Sequence, residues 1–228
     1  MMRRFAVVLA VALVALIFAG LIRSYVEQDA LRPLAETYVK SVPQELGAPN
    51  VITGILLTFR AFDTLGEVAV LFMVAAGIGL LLSTDGRAEP GADERKPASE
   101  LVESGADILL PLIFIFAAYI IMNGHLSAGG GFQGGAVIAS GVMLLLLAKP
   151  ATRLAQDFLS FSESLAGVLF VLVGVAGLIF AGGFLDNRVL PLGQFGAFFS
   201  AGAIPVISIL LGIKVGAELS VIIDRFRN

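Results

Sequence analysis

The amino-acid sequence predicts an all-α, polytopic membrane protein with about six transmembrane helices and one short interfacial or re-entrant segment. Three observations predict this class. Hydrophobic residues make up 57% of the 228 and charged residues only 14%, where a soluble domain carries about 25% charged residues. The apolar residues gather into separate runs close to the ~20 residues that cross a bilayer, instead of supplying one core. No run alternates polar and apolar residues as a half-buried strand does, and a helix satisfies its own backbone in hydrocarbon without closing a barrel.

The runs lie at about 5–22, 64–83, 106–123, 132–148, 163–183 and 196–213. The first, in "MMRRFAVVLAVALVALIFAGLIRSY", is longer than the apolar part of a usual signal peptide and shows no small-x-small cleavage site, so it reads as a transmembrane helix. In "GAPNVITGILLTFRAFD", 47–63, Ile52, Ile55, Leu56 and Phe59 share a helical face, yet the stretch is too short to span; it is the expected interfacial or re-entrant piece. The chain divides into a two-helix membrane region at 1–84, a polar linker at 85–104 and a four-helix membrane domain at 105–228. Basic residues collect before the first run (Arg3, Arg4), between the second and third (Arg87, Arg95, Lys96), after the fourth (Lys149, Arg153) and at the end (Arg225, Arg227). The loop after the first run breaks the trend, but it is long and also acidic. The positive-inside rule then places both termini in the cytoplasm of a cell (inner) membrane protein.

Composition also excludes chemistry. The chain has no cysteine and one histidine, which removes disulfides, thiolate catalysis, Cys-ligated zinc or Fe–S clusters, and haem held by a His pair. No catalytic centre, metal site or cofactor is expected within it, although it could still be a non-catalytic part of a larger translocating enzyme. With a net charge of -3 and no basic stripe, nucleic acid is not an expected partner. The stretch "GHLSAGGGFQGG", 124–135, holds six glycines but no following Lys-Ser or Lys-Thr, so it is not a phosphate loop. Ser127 stands too close to His125, the one histidine, to form an intramembrane protease pair. The loop reads as a packing turn: Gly130 with Gly134, and Gly131 with Gly135, present small faces on which a neighbouring helix can pack.

These residues, with "FLDNRVLPLGQFGAFFSAGAIPVISILLGIKVGAELSVIID", make the region 104–226 resemble the B subunit (MnhB family) of Mrp-type multisubunit Na⁺/H⁺ antiporters. The earlier part, with "NVITGILLTFRAFDTLGEVAVLF", resembles the E subunit of membrane-bound hydrogenases (MbhE), a segment that also ends the Mrp A subunit. The resemblance implies an accessory subunit in a hetero-oligomer of other Mrp- or Mbh-type membrane subunits. Such a subunit has no redox cofactor of its own and sits in the lipid bilayer beside subunits that move Na⁺ and H⁺. Here the MbhE-like part is joined to a B-like domain instead of a large A subunit. Two complexes remain open: a stand-alone antiporter, or a redox-driven complex such as a membrane-bound hydrogenase or ferredoxin-linked oxidoreductase with this chain in its membrane arm.

Charges at membrane depth are costly and mark ion routes. Arg60, Asp63 and Glu67 would share one face if "RAFDTLGE" is helical, but Thr64-x-x-Glu67 also has the form of a capping box. Glu163 follows the same pattern with Ser160. Lys214 and Glu218 stand four apart at the end of the last run, in the weaker order for a helix pair, and Lys214 could snorkel to the interface. His125 is of the one residue type that can change charge near neutral pH. Each of these residues is a candidate for the ion or proton pathway, with a structural reading beside it. Pro205 falls in the middle of the last run and should kink it or free a carbonyl. Asp186 and Arg188 read as a solvated pair in a turn before Pro191.

Overall fold

The computed structural model describes residues 2–26, 30–83 and 98–227. Among them the regular structure is helical, and the only β feature is an isolated bridge between Gly193 and Ser200. The α-helices are α1 (Met2–Ser24), α2 (Pro33–Ser41), α3 (Val51–Gly54), α4 (Ala61–Ser83), α5 (Glu100–Met122), α6 (Gly131–Ala148), α7 (Gln156–Phe180) and α8 (Ile204–Arg227). Six of these, α1 and α4 to α8, are long and apolar enough to cross a bilayer. The chain is a multi-pass membrane protein.

Two compact units are present, divided between Thr37 and Tyr38. The first contains α1, which at 23 residues is about 35 Å long, enough for the hydrocarbon core. The second is built around α8. That helix packs against α6, α7, α4 and α5, while α5 also lies along α6. Ile207, Leu211, Val215 and Val221 of α8 are buried. Its Gly212 and Gly216 lie against Ile121 of α5 and Ile138 of α6. Small residues at these contacts suit a bilayer, where lipid is as apolar as leucine and close van der Waals packing holds helices together. α4, α6 and α8 start at one end of the unit; α5 and α7 start at the other. Lys149 at the end of α6 pairs with Asp107 near the start of α5, and Gln156 at the start of α7 bonds Asp224 near the end of α8.

Several expectations are corrected. The last span is not 196–213 but Ile204–Arg227. Residues 196–203 are apolar but form a tight loop with left-handed backbone at Gly196, Ala201 and Gly202. The helix continues past Lys214, Glu218 and Asp224 because each is paired within the protein. Pro205 is therefore the second residue of α8 and not a mid-span kink; there its missing N–H removes no helical hydrogen bond. Neither capping box forms. Thr64 lies inside α4 and donates to the Leu56 carbonyl at 2.8 Å, and Ser160 lies inside α7.

The short segment before α4 is a broken helix: α3 passes into a five-residue π-helical turn at Ile55–Phe59. Thr53, Gly54 and Leu57 are buried, whereas Ile52 and Phe59 are exposed. Of the polar linker, 85–97 lie outside the described residues, and α5 already begins at Glu100 with Glu103 in its first turn, where acidic side chains suit the helix dipole.

Candidate functional site

Lys214 stands ten residues into α8, about 15 Å along its axis. Its ammonium lies 3.1 Å from Glu163 Oε1 on α7 and 3.2 Å from Glu218 Oε2 one turn further along α8. Lys214 is 6% exposed and Glu218 is fully buried. Neither oxygen of Glu218 accepts a hydrogen bond among the described residues, so charge alone ties it to the lysine. Gly167, one turn on from Glu163, lies alongside the lysine stem; a Cβ there would stand in ordinary contact at 3.6 Å from Lys214 Cδ. On the third side the Phe72 ring of α4 faces the ammonium at 5.8 Å, within cation–π range. A cleft of about 390 Å³ between α4 and α7 opens on to this group, lined by Phe72, Glu163, Ser164, Gly167, Val168, Val171, Leu172 and Lys214. Two carboxylates share one ammonium at membrane depth. Leaving either uncompensated is costly, which couples the position of the lysine to the charge on both acids.

The other candidates are not brought together with this group. Arg60 closes the π-helical turn with non-helical φ -115° and pairs with Asp63 at 2.5 Å, both half exposed. Glu67 lies one turn further along α4 from Asp63, on the same side of the helix. It lies in a groove of about 470 Å³ between α4, α6 and α8, with Val70, Leu71, Val74, Phe132, Ala136, Val215 and Leu219. His125 is fully buried at the loop end, its Nε2 3.1 Å from the Phe198 carbonyl oxygen. Burial pushes its pKa below the usual histidine value, against the carbonyls of Phe198, Ala197 and Met122. It makes no hydrogen bond or ion pair with Glu163, Lys214 or Glu218.

The glycine stretch is a wedge. Gly130 caps α6 with φ +145°, a backbone conformation that favours glycine. A side chain at Gly131 would collide with the Ser208 carbonyl and stand 2.6 Å from Leu211 Cβ; at Gly135 it would meet Val215 Cβ at 2.8 Å. Gly134 faces the opposite way, against Ile121 of α5. The two small faces thus serve two different neighbours, α8 and α5.

Several polar residues that tie the unit together gave no motif in the sequence. Asn50 donates from its amide to the carbonyls of Gly124 and Ser127 at 2.8 and 2.7 Å, docking α3 on the glycine turn. Asn187, fully buried, donates to the carbonyls of Leu46 and Ala201, both at 2.9 Å. Asp186 is not solvated: its side chain is 6% exposed and receives Arg188, whose hydrogen bond holds the carboxyl below its usual pKa. At the other end Asp224 accepts from Gln156 at 2.7 Å and pairs with Arg227 at 2.8 Å, while Arg225 donates to the Ala75 carbonyl of α4. An amide or acid within an apolar run was the available signal, but its partners are far away in sequence.

Comparison with known proteins places this arrangement. Residues 101–221 match a family model described as a domain related to the MnhB subunit of Na⁺/H⁺ antiporter, and residues 1–96 match one described as the E subunit of MBH. The chain is 30% identical over 200 residues to an uncharacterized protein of Methanocaldococcus jannaschii, covering 75% of this chain and 74% of that protein. It is 28% identical over 210 residues to the probable K(+)/H(+) antiporter A/B subunit of Rhizobium meliloti, covering 79% of this chain and 20% of that longer protein. That overlap exceeds either family segment, so both segments align within one antiporter chain. Among solved structures, a chain of the membrane-bound sulfane sulfur reductase, an archaeal respiratory membrane complex, superposes with a TM-score of 0.82 at 34% identity. The match covers 99% of this chain and 98% of that one.

Proposed function

The chain belongs to the family of domains related to the MnhB subunit of Na⁺/H⁺ antiporters, and from that premise we propose that it is an accessory subunit of an Mrp-type cation/proton antiport module. In this role it helps to assemble the module with other membrane subunits and supplies part of the ion route. The observation that carries the reading is the buried group Glu163–Lys214–Glu218. When the ammonium swings fully to one carboxylate, the other is left without its cation and takes up a proton or a monovalent cation. The cleft beside Phe72 gives a lateral path for that exchange with a neighbouring subunit. Arg60 and Asp63 satisfy each other at the loop end, and His125 is locked there, so neither serves this step.

The proposed location is the cell membrane with both termini in the cytoplasm. Lys149, Arg153, Arg225 and Arg227 share the end at which α6 and α8 finish, which supports this orientation. The end-to-end correspondence with a chain of the sulfane sulfur reductase complex favours a second reading as well. In it the same module sits in the membrane arm of a redox-driven complex, with the redox centres carried by other chains.

The test is transport by the purified, reconstituted complex carrying the triple substitution Glu163→Gln, Lys214→Met and Glu218→Gln. Removing all three charges avoids stranding any one of them, which would destabilise the fold by about 3–5 kcal/mol. Cation-dependent proton transport should fall at least tenfold while subunit stoichiometry on native gels is unchanged. Wild-type transport from an intact complex overturns the assignment and leaves a scaffolding role. Mass spectrometry of the same preparation separates the two settings: antiporter subunits alone, or added redox subunits.

A further inference from the structure

The groove containing Glu67 lies on the side of α4 away from the Lys214 cleft. Glu67 is six residues into α4, about 9 Å along the axis, and is exposed. The other residues lining the groove are apolar: Val70, Leu71 and Val74 of α4, Phe132 and Ala136 of α6, and Val215 and Leu219 of α8. Arg60, the nearest cation in sequence, is already engaged by Asp63. Among the described residues no lysine, arginine or histidine makes an ion pair with Glu67. A carboxylate at this depth, facing sideways among apolar side chains, is costly without a cation.

From this geometry we infer that the groove is the seat of a transmembrane helix of a different subunit, which brings a lysine or arginine side chain to Glu67. The groove runs from Glu67 to Val74, seven residues or about two helical turns, with Ala136 leaving room for the close approach that small residues allow between helices. Charge selects the occupant. Lipid tails carry no cation. A second copy of this chain offers none at that depth, because Lys214 is the only lysine or arginine in α4–α8 more than four residues from a helix end, and it is held by Glu163 and Glu218. The inference rests on the reading of the chain as one member of a larger membrane assembly, but it concerns assembly and not transport.

The absence of cysteine makes the experiment direct. Val70→Cys and Val74→Cys, with Ile115→Cys on the outer face of α5 as a control, are coupled to a photoreactive maleimide in the native complex, and the cross-linked peptides are sequenced. Both groove positions should map to one transmembrane helix of one other subunit, with a lysine or arginine within two turns of the cross-link. Glu67→Lys should reduce co-purification of that subunit at least tenfold, and reversing the partner's cation to glutamate should restore it. The restoration distinguishes lost pairing from a misfolded variant. Cross-links to lipid, to a second copy, to residues 2–26 of the same chain, or to a helix without a cation overturn the inference. So does wild-type co-purification of Glu67→Lys. Lost transport with intact cross-links bears on the proposed function alone.

Discussion

Lys214 owes its place at membrane depth to two acids it does not share with water, and His125 owes its place at the loop end to a carbonyl. The lysine was legible as a candidate because it interrupts an apolar run. Glu163, 51 positions away, was legible as a candidate beside its helix-start reading, but not as the partner of Lys214, since nothing local says that α7 turns this face toward α8. His125 is buried with its pKa lowered by desolvation, so the folded state favours the neutral ring. Above about pH 6.5, the ordinary histidine value, folded and unfolded states are both neutral there and the full stability is present. As pH falls below that value the unfolded state takes up the proton first, and stability is lost. The melting temperature of the detergent-solubilised complex should drop between about pH 7.5 and 5.5, and His125→Gln should flatten that dependence. Asp186 does not enter this window, because Arg188 holds its carboxyl below the usual carboxylate range. An unchanged pH profile in His125→Gln would mean that the ring is not what titrates.

At the scale of elements, α6 is fixed by small residues that let α8 and α5 come close on opposite sides. Gly135→Leu would drive a branched side chain into Val215 Cβ and the Gly212 carbonyl. Overpacking of this kind costs about 1–3 kcal/mol. Thermal unfolding should show that loss, whereas Gly77→Ala on α4, which meets nothing within 4 Å, should be neutral or slightly stabilising, since alanine is the better helix former. Equal effects from the two substitutions would remove the wedge from the account. The four-residue spacing of the glycines was visible in the sequence, but their division between two neighbours was not. Helix starts were the least legible feature. Thr64 and Ser160 each precede a glutamate at the capping distance, yet α4 and α7 begin three or four residues earlier, where Ala61 is buried and Gln156 bonds Asp224 across the unit.

At the scale of the whole molecule, the two ends differ in how their charges are held. Arg60 and Arg188 at the loop end are each closed by an aspartate two or three residues away. The opposite end keeps Arg153 exposed beside Lys149, Arg225 and Arg227. Single cysteines should report this polarity in sealed, right-side-out vesicles: Gln194→Cys should react with an impermeant maleimide from outside, and Ala151→Cys only after the membrane is opened. The reverse labelling would invert the proposed orientation while leaving the fold untouched.

The sequence by itself determined the class of this protein, its spans as a set and its family. Class and spans follow from composition and run length, properties of contiguous residues in a bilayer that penalises unpaired backbone, and the family from resemblance in long motifs. The tertiary structure was needed to show that Glu163 meets Lys214, that Asp186 is buried and that α8 extends to Arg227. These depend on which face each helix turns to its neighbour. In lipid that choice is made by small residues and charge pairs far apart in the chain, because apolarity alone does not distinguish the outside of a helix from its inside.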